Sequence, residues 1–426
     1  MIDPVEATAE ELIRVQREDS SRLLAALVRR FGDLALAEDV AQDAMAAALE
    51  TWPRTGIPAS PLAWLLTTAR RRAIDIVRRD AMAARRLAEL RLEEERRSPA
   101  APVADDGIPD DRLQLLFACC HPTLRQDEQI ALTLRYLGGL STQEVAAAFL
   151  VPVTTMQARL TRAKKRITVT RIPIRVPGAA ELPDRLPAVL HVIYLIYTEG
   201  YAATAADVHV RSELTAEAIR LARITANLLP GESEVDGLLA LLLLTEARAP
   251  ARTDGEGLPI ALEDQDRTLW LRPLLEEGIA LAQQAAGQGG ISPAGLGPHV
   301  VQAAIAAVHA EAASFDDTDW GQVVVLYDLL RRIVPGPVVE LNRAIAVGQL
   351  DGFQVGLRLL DRLGDSQEMQ RYHPYHAARA VTLEGLERYP EAAAAWRAAG
   401  ACTASPPEGA YITRRLTRLG RRPLPE

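Results

Sequence analysis

Residues 140–167 form the stretch "LSTQEVAAAFLVPVTTMQARLTRAKKRI", which carries the most specific pattern in the chain. Ser141 and Glu144 have the spacing of a capping box, so a short helix is predicted to start here. Pro152 breaks this helix, and the spacing of Thr154 and Gln157 predicts a second helix directly after it. The second helix has one apolar stripe, formed by Val153, Met156, Leu160, Ala163 and Ile167. The stretch therefore predicts two short helices joined by a tight turn.

The opposite face of the second helix is polar and basic. Residues 157–175 contain seven Lys and Arg side chains and no acidic one. Two helices joined in this way are the plan of a helix-turn-helix, whose second helix places polar residues at base edges and cations along phosphates. The candidate DNA contacts on this helix are Thr154, Thr155, Gln157, Arg159, Arg162, Lys165 and Arg166. Gln157 and Arg159 suit bidentate contacts to bases. The alternative is an ordinary helical hairpin with a solvated basic face.

The whole composition is that of a helical, globular protein. Of 426 residues, 48% are hydrophobic and 24% charged, while aromatics make up only 4%. No alternating apolar run long enough for a sheet is present, so an all-α fold is predicted. The length favours two to three domains. The predicted blocks are 10–86, a linker at 87–110, a helix-turn-helix block at 111–168 and a helical block at 180–420.

The first block contains two further features. "AEDVAQDAMAAALETW" (37–52) has helical spacing of apolar residues, and "TWPRTGIPASP" (51–61), with three prolines and one glycine, is predicted to be a loop. The next helix, 62–80, carries a run of arginines. Such a run, taken alone, is more typical of a solvated charged face than of a binding site.

Several classes of site are absent from the sequence. Three cysteines without paired spacing indicate a reducing compartment, and we expect Cys120 to be a small core residue with Cys119 at the edge of the apolar face. No signal peptide is evident, and the longest apolar run is too short to span a bilayer, so a cytoplasmic protein without membrane contact is expected. We predict no catalytic residue, no metal and no cofactor. The carboxylates of "LEDQDRTLW" (262–270) have no second ligand cluster beside them.

The C-terminal half differs from the N-terminal half in charge and in periodicity. Residues 1–180 carry 26 basic and 24 acidic side chains, whereas residues 181–426 carry 22 and 32. Trp320, Phe353 and Tyr389 begin three similar frames spaced 33 and 36 residues apart. This spacing is near the tetratricopeptide period of 34 and indicates stacked helical hairpins, which offer a concave surface to a peptide or protein partner.

The order of these segments resembles the sigma factors of bacterial RNA polymerase, specifically the extracytoplasmic-function (ECF) type of the sigma-70 class. Residues 37–52 look like region 2.2, "SPLAWLLTTARRRAIDIVRR" (60–79) looks like regions 2.3–2.4, and residues 110–167 look like region 4. The resemblance covers roughly residues 10–168. The remainder resembles the tetratricopeptide-like (TPR-like) extension of one subgroup.

The resemblance implies partners and roles for named residues. Asp39, Gln42 and Asp43 match positions that dock on the β′ coiled coil of core RNA polymerase, and region 4 is expected at the β flap. The 51–61 loop matches the segment that captures a flipped base of the −10 element. The residues matched to −10 promoter DNA are Arg54, Thr55, Ser60, Trp64, Arg70, Arg71, Arg78 and Arg79. Trp64 is equally compatible with a core position. The helix beginning near Thr154 matches the −35 reader.

Two functions remain open on these residues. The first is a sigma factor that directs promoter recognition and transcription initiation, with a C-terminal domain that tunes activity or binds a partner. The alternative is a one-component helix-turn-helix regulator with a sensing repeat domain, which leaves the 37–52 and 62–80 helices without a role. An enzyme is not expected, because no catalytic constellation or phosphate-binding motif is present.

Overall fold

A computed structural model describes residues 4–88, 111–149, 151–178, 180–201, 212–289, 296–403 and 405–420. Within these ranges the regular structure is helical and no strand is present, which confirms the predicted all-α fold. The chain divides into two compact units, residues 1–192 and 193–426. The first unit contains both the arginine-rich helix and the helix-turn-helix, and its boundary with the second falls inside a helix.

Among its described residues, the first unit has eight helices and part of a ninth. They are α1 (Pro4–Glu18), α2 (Ser20–Phe31), α3 (Leu34–Thr55), α4 (Pro61–Ala88), α5 (Arg112–Cys119), α6 (Gln126–Tyr136), α7 (Thr142–Ala148), α8 (Val153–Val169) and α9 (Leu182–Tyr201). Of the predicted linker at 87–110, residues 89–110 lie outside the described residues.

Apolar residues at helical spacing hold α1 to α4 together. On α3, Val40, Ala44 and Ala48 are fully buried, as their spacing predicted. Trp52 follows one turn later, 1% exposed, and its ring meets the Trp64 ring edge-on with centroids 5.4 Å apart. This aromatic pair joins the end of α3 to the start of α4.

The predicted loop at 51–61 is wrong in its first half. Helix α3 continues through Pro53 to Thr55, and only residues 56–60 form a loop before Pro61 opens α4. Proline inside a helix removes one backbone hydrogen bond, but burial of the neighbouring Trp52 holds the last turn in place. Gly56, with φ of 83°, then ends the helix in a conformation that favours glycine.

Cysteines 119 and 120 close α5 inside the core. Both are buried, and the Cys120 sulfur lies 3.5 Å from the Thr133 hydroxyl of α6. Cys120 is therefore the core residue that was predicted. Cys119, expected at the edge of the apolar face, is fully buried as well. The helix ends before His121-Pro122, since a residue that precedes proline avoids helical geometry.

The second unit is a succession of helices in which neighbours along the chain pack together. After the end of α9 come α10 (Ser212–Leu228), α11 (Ser233–Glu246), α12 (Arg272–Gly289), α13 (Pro298–Glu311), α14 (Trp320–Ile333), α15 (Pro337–Asp351), α16 (Phe353–Leu363), α17 (His373–Gly385), α18 (Tyr389–Cys402) and α19 (Pro406–Gly420). The three predicted frames begin α14, α16 and α18, so each frame opens the first helix of a hairpin. Trp396 on α18 packs with Leu383 on α17 and Ile412 on α19 in one such layer.

A segment with little regular structure separates α11 from α12. Residues 247–271 contain only the 3-10 turns Ala249–Ala251, Leu262–Asp264 and Arg267–Leu269. Arg252 is 7% exposed, lies over the Tyr201 ring and donates to the Tyr201 carbonyl at 3.0 Å. Arg414 on α19 contacts Asp254 at 3.0 Å. The first part of the segment is therefore fixed by contacts of Arg252 with Tyr201 and of Asp254 with Arg414.

Candidate nucleic-acid interface

The helix-turn-helix forms as its capping pattern predicts, with one correction. The backbone N–H of Ser141 donates to the Glu144 carboxylate at 2.7 Å, and the Glu144 N–H donates to the Ser141 hydroxyl at 3.2 Å. Helix α8, however, begins at Val153 with Pro152 as N-cap, and no side chain caps it. The predicted second capping pair, Thr154 and Gln157, is wrong, because both residues already lie inside the helix, where Thr154 cannot act as the N-cap.

Helix α8 presents two faces that match the predicted division. Met156, Leu160, Ala163 and Ile167 are buried against the rest of the unit. Five of the seven predicted DNA-contacting residues are exposed on the other face, namely Thr154, Thr155, Gln157, Arg162 and Lys165. The exposed set begins in the first turn of the helix and reaches into its C-terminal half. It offers hydroxyl and amide groups first and cations further along.

The remaining two predicted contacts, Arg159 and Arg166, are engaged inside the unit. Arg159 is 18% exposed, lies 3.4 Å from Asp127 on α6 and stacks over the Phe149 ring at 5.0 Å. Arg166 is 3.2 Å from Glu128, also on α6. These two contacts tie the polar side of α8 to the start of α6. Arg159 must therefore exchange Asp127 for a base if it acts as a reader.

A partly buried carboxylate that the sequence did not single out joins α3 to the helix-turn-helix. Glu38 accepts hydrogen bonds from Lys164 Nζ at 2.8 Å, Arg135 at 2.9 Å and the Tyr136 hydroxyl at 2.9 Å. Burial alone raises the pKa of Glu38, but Lys164, Arg135 and Tyr136 outweigh it, so the pKa lies below its ordinary value of 4.5. Burial and Glu38 together raise the pKa of Tyr136, so its hydroxyl stays protonated and donates.

A second ion pair joins α2 to the start of α5. Arg29 on α2 lies 2.9 Å from Asp111, which is 4% exposed and directly precedes α5. Neither partner belongs to a recognisable motif. The sequence offers no indication of either contact, because the partners are separated by 82 to 126 residues.

The predicted polymerase-docking residues lie together on α3. Asp39, Gln42 and Asp43 are all exposed and occupy positions i, i+3 and i+4, so they share one helix face. Asp43 is 3.0 Å from Arg72 on α4, and both side chains are about half exposed. The face is thus acceptor-rich and open to a partner, with Asp43 partly neutralised.

The residues matched to −10 DNA occupy two places. Arg54 and Thr55 are exposed in the last turn of α3, where they donate to the Glu50 and Thr51 carbonyls at 3.2 and 3.1 Å. Ser60 is exposed just before α4. Trp64 is half-buried against Trp52, so its ring takes part in core packing.

The arginines of α4 form an exposed surface that also contains apolar residues. Arg70, Arg71, Arg78 and Arg79 are all exposed. Among them lie Ile74 and Val77, which are 39% and 47% exposed. Sequence periodicity could not reveal which apolar residues would remain uncovered.

Neither a metal site nor a reactive thiol is evident in the described part of the chain. No group of three or more His, Cys, Asp or Glu side chains is placed to hold a metal ion there. Burial raises the pKa of both adjacent thiols, that of Cys120 to about 12, which makes them poor nucleophiles. Among the described helices, none has the length and apolar character needed to cross a bilayer.

Comparison with known proteins matches these regions to families. Sigma-70 region 2 matches residues 17–82, and sigma-70 region 4 matches residues 114–167. A family of unknown function, DUF6596, matches residues 185–286. The first part of the C-terminal extension is therefore DUF6596. The TPR-like character of the extension stays a prediction that its helical hairpins support.

Relatives of the whole chain and of its first half are known. The uncharacterised protein R00370 of Rhizobium meliloti is 42% identical over 403 residues, which cover 94% of each chain. The ECF RNA polymerase sigma factor SigK of Mycobacterium tuberculosis is 30% identical over 145 residues, covering 33% of this chain and 74% of SigK. SigK of Mycobacterium ulcerans matches to the same extent.

Regions 2 and 4 in this order define a sigma factor of the sigma-70 class. The chain belongs to the ECF family of RNA polymerase sigma factors. It also carries a DUF6596 region at residues 185–286, and the 145-residue match to SigK covers only 33% of the chain. This family is not a family of enzymes.

Proposed function

We propose that the chain binds core RNA polymerase and directs it to promoters through the described surfaces of α3, α4 and α8. The observation that carries this proposal is the exposed polar face of α8, which lies in one compact unit with the exposed arginines of α4. Family membership supports binding of polymerase and promoter DNA. The individual contacts below are assigned from exposure and chemistry.

Helix α8 is the −35 reader in this proposal. Thr154, Thr155 and Gln157 lie in its first turns, where the recognition helix of a helix-turn-helix meets base edges. Arg162 and Lys165 are further along and suit phosphate contacts. Arg159 and Arg166 join them when DNA phosphates or bases replace Asp127 and Glu128 as their partners.

Helix α4 and the short 56–60 loop form the −10 surface. Arg70, Arg71, Arg78 and Arg79 bind the backbone, and Ile74 and Val77 supply apolar contacts to unpaired bases or to the polymerase. Arg54, Thr55 and Ser60 flank the loop, where hydrogen-bonding groups can hold an extruded base. Trp64, which is half-buried, contributes the exposed part of its side chain.

The face of α3 with Asp39, Gln42 and Asp43 is the docking surface for the β′ coiled coil. Carboxylates and an amide on one face suit bidentate contacts to arginines of a partner. Region 4 is assigned to the β flap. The acidic extension, residues 181–426, tunes this activity by contact with the sigma regions, the polymerase or a further protein partner. The setting is cytoplasmic.

Run-off transcription tests this proposal. Purified full-length chain is added to core polymerase with a pool of genomic fragments, and transcripts are mapped. We expect specific start sites that disappear without the chain. Gln157→Ala is expected to reduce transcription from those start sites about tenfold, since one bidentate contact discriminates by about 1–3 kcal/mol. Thr161→Ala, exposed on the same helix, is the matched control.

The opposite results would contradict the proposal. If the chain does not bind core polymerase and produces no transcript, it does not act as a sigma factor. Tight, specific binding to duplex DNA without polymerase would favour the one-component regulator. Deletion of the second unit with no effect on transcription or core affinity would remove its tuning role.

A further inference from the structure

A cavity in the second unit is lined by side chains that the sigma function does not use. It has a volume of about 290 Å³. Its lining comes from helices α13 to α17 and from residues 261–263 of the irregular segment. This volume is at the lower limit for small-molecule sites. The cavity therefore admits an amino-acid side chain or a small amine, and it is too small for a nucleotide.

Aromatic rings supply much of the cavity lining. Phe315, Trp320, Tyr327 and Phe353 all line it. The Trp320 ring stands edge-on to Phe315 and to His309, each with a centroid distance of 5.2 Å. Burial raises the pKa of Tyr327 to about 12, so it is neutral at physiological pH. Electron-rich aromatic rings around a small volume favour a cation over a neutral group.

Glu263 is the one carboxylate that lines this cavity. Within the described part of the chain its side chain has no hydrogen bond or ion pair. Partial burial and the neighbouring Asp264 raise its pKa above the ordinary value, although Arg415 and Arg418 act in the opposite direction. The nearby Arg415 and Arg418 are directed to Glu384, at 3.0 and 3.5 Å.

Among the described residues that line the cavity there is no Lys or Arg, although Arg248 and Arg267 act on the lining residue His309. His309 is its only basic side chain, and burial, with Arg248 and Arg267 nearby, lowers the pKa of His309 to about 4. The ring is therefore neutral at pH 7. Its Nδ1 is buried and has no hydrogen-bond partner in the described structure. A neutral imidazole nitrogen can accept a hydrogen bond from an ammonium group.

Two carboxamides extend the site along α15. Asn342 and Gln349 line the cavity seven residues apart, so they lie on the same face of the helix two turns from one another. Neither side chain has a hydrogen-bond partner among the described residues. A carboxamide donates and accepts together, which matches the N–H and C=O groups of an extended peptide backbone.

We propose that this cavity binds the cationic side chain of an extended peptide segment from a partner protein. The aromatic rings and Glu263 hold the cation, and Asn342 with Gln349 hold the backbone on either side. The site concerns only the second unit and does not depend on the assignment of polymerase or promoter contacts. It gives the acidic extension a partner of defined chemistry.

The test uses the full-length chain and two acetylated, amidated peptides, Ala-Leu-Lys-Leu-Ala and the same peptide with norleucine in place of lysine. Isothermal calorimetry at low salt measures both affinities. We expect the lysine peptide to bind at least fivefold more tightly, because its ammonium group gains a partly exposed charge pair and contacts with aromatic rings. Butylammonium chloride, the bare cation, is expected to bind at least tenfold more weakly than the lysine peptide.

Variants assign the discrimination to named groups. Glu263→Gln should bring the two peptide affinities to within about twofold of each other. Glu256→Gln, an equal loss of charge on the same segment outside the cavity, should leave the ratio unchanged. Asn342→Ala should weaken both peptides alike. Circular dichroism melts confirm that each variant folds.

Three results would overturn the proposal. Equal affinity for the lysine and norleucine peptides would remove the cation site. An unchanged ratio in Glu263→Gln would remove the role of that carboxylate. Butylammonium binding as tight as that of the lysine peptide would show that the backbone is not recognised. None of these assays contains polymerase or DNA, so they succeed or fail independently of the sigma function.

Discussion

Glu38 connects α3 to the helix-turn-helix, and its replacement provides a quantitative test of that packing. Its side chain is 12% exposed, and its partners Arg135 and Lys164 are 13% and 23% exposed. Glu38→Ala leaves the buried Tyr136 hydroxyl without its acceptor, while Arg135 keeps a hydrogen bond to the Leu140 carbonyl at 3.2 Å. Loss of one partner from a buried charged network costs about 3 kcal/mol.

The expected readout is the stability of the first unit. A loss of about 3 kcal/mol lowers the melting temperature by roughly 6–12 °C in a unit of this size. Hydrogen exchange read at α6 and α8 assigns the loss to this unit. Glu50→Ala, an exposed acidic residue on the same helix, is the control and should change stability by less than about 0.5 kcal/mol.

The pH dependence has a definite sign. The pKa of Glu38 is lowered in the folded chain, so its contribution is complete above the ordinary value of 4.5 and is lost as pH falls through the lowered folded value. Because glutamine does not titrate, the stability difference between wild type and Glu38→Gln should shrink below about pH 4.5. Equal stability of Glu38→Ala and Glu50→Ala at pH 7, or a difference that grows on acidification, would refute the network.

Three further results are expected. Trp52→Ala should destabilise the first unit by about 3–5 kcal/mol in urea denaturation, because it removes a 1% exposed ring from the core; a loss below about 1 kcal/mol would contradict its core role. Asp39→Arg should abolish core polymerase binding in a pull-down while the circular dichroism spectrum is unchanged, whereas Glu10→Arg, equally exposed on α1, should bind normally. In the native chain a thiol reagent should modify Cys402 well before Cys120, whose thiol is buried with a pKa of about 12; equal rates would contradict the packing of α5.

Local pattern was enough to predict the elements. The apolar stripe of α8, the capping box of α7 and the frames that begin at Trp320, Phe353 and Tyr389 each lie within a single helix or at its start. Backbone periodicity and side-chain capping are determined at that range. For this reason the all-α fold and the order of the two sigma regions were accessible without coordinates.

Local pattern failed where burial competed with it. Pro53 was expected to end a helix, yet α3 passes through it because the adjacent Trp52 packs against Trp64. Arg159 is predicted to contact DNA, and the sequence did not indicate that its side chain also contacts Asp127 and Phe149. In both cases the deciding contact comes from another helix.

The sequence by itself determined the helices, their apolar faces and the family to which they belong. Only the tertiary structure decided that Glu38 meets Lys164 across 126 residues, and that Glu263 and Trp320 line one cavity. Helical periodicity identifies the side of a helix that is buried, but it carries no information on which distant side chain is buried against it. Those pairings depend on the packing of several helices at once, and they determine which charges are neutralised and which are available to a partner.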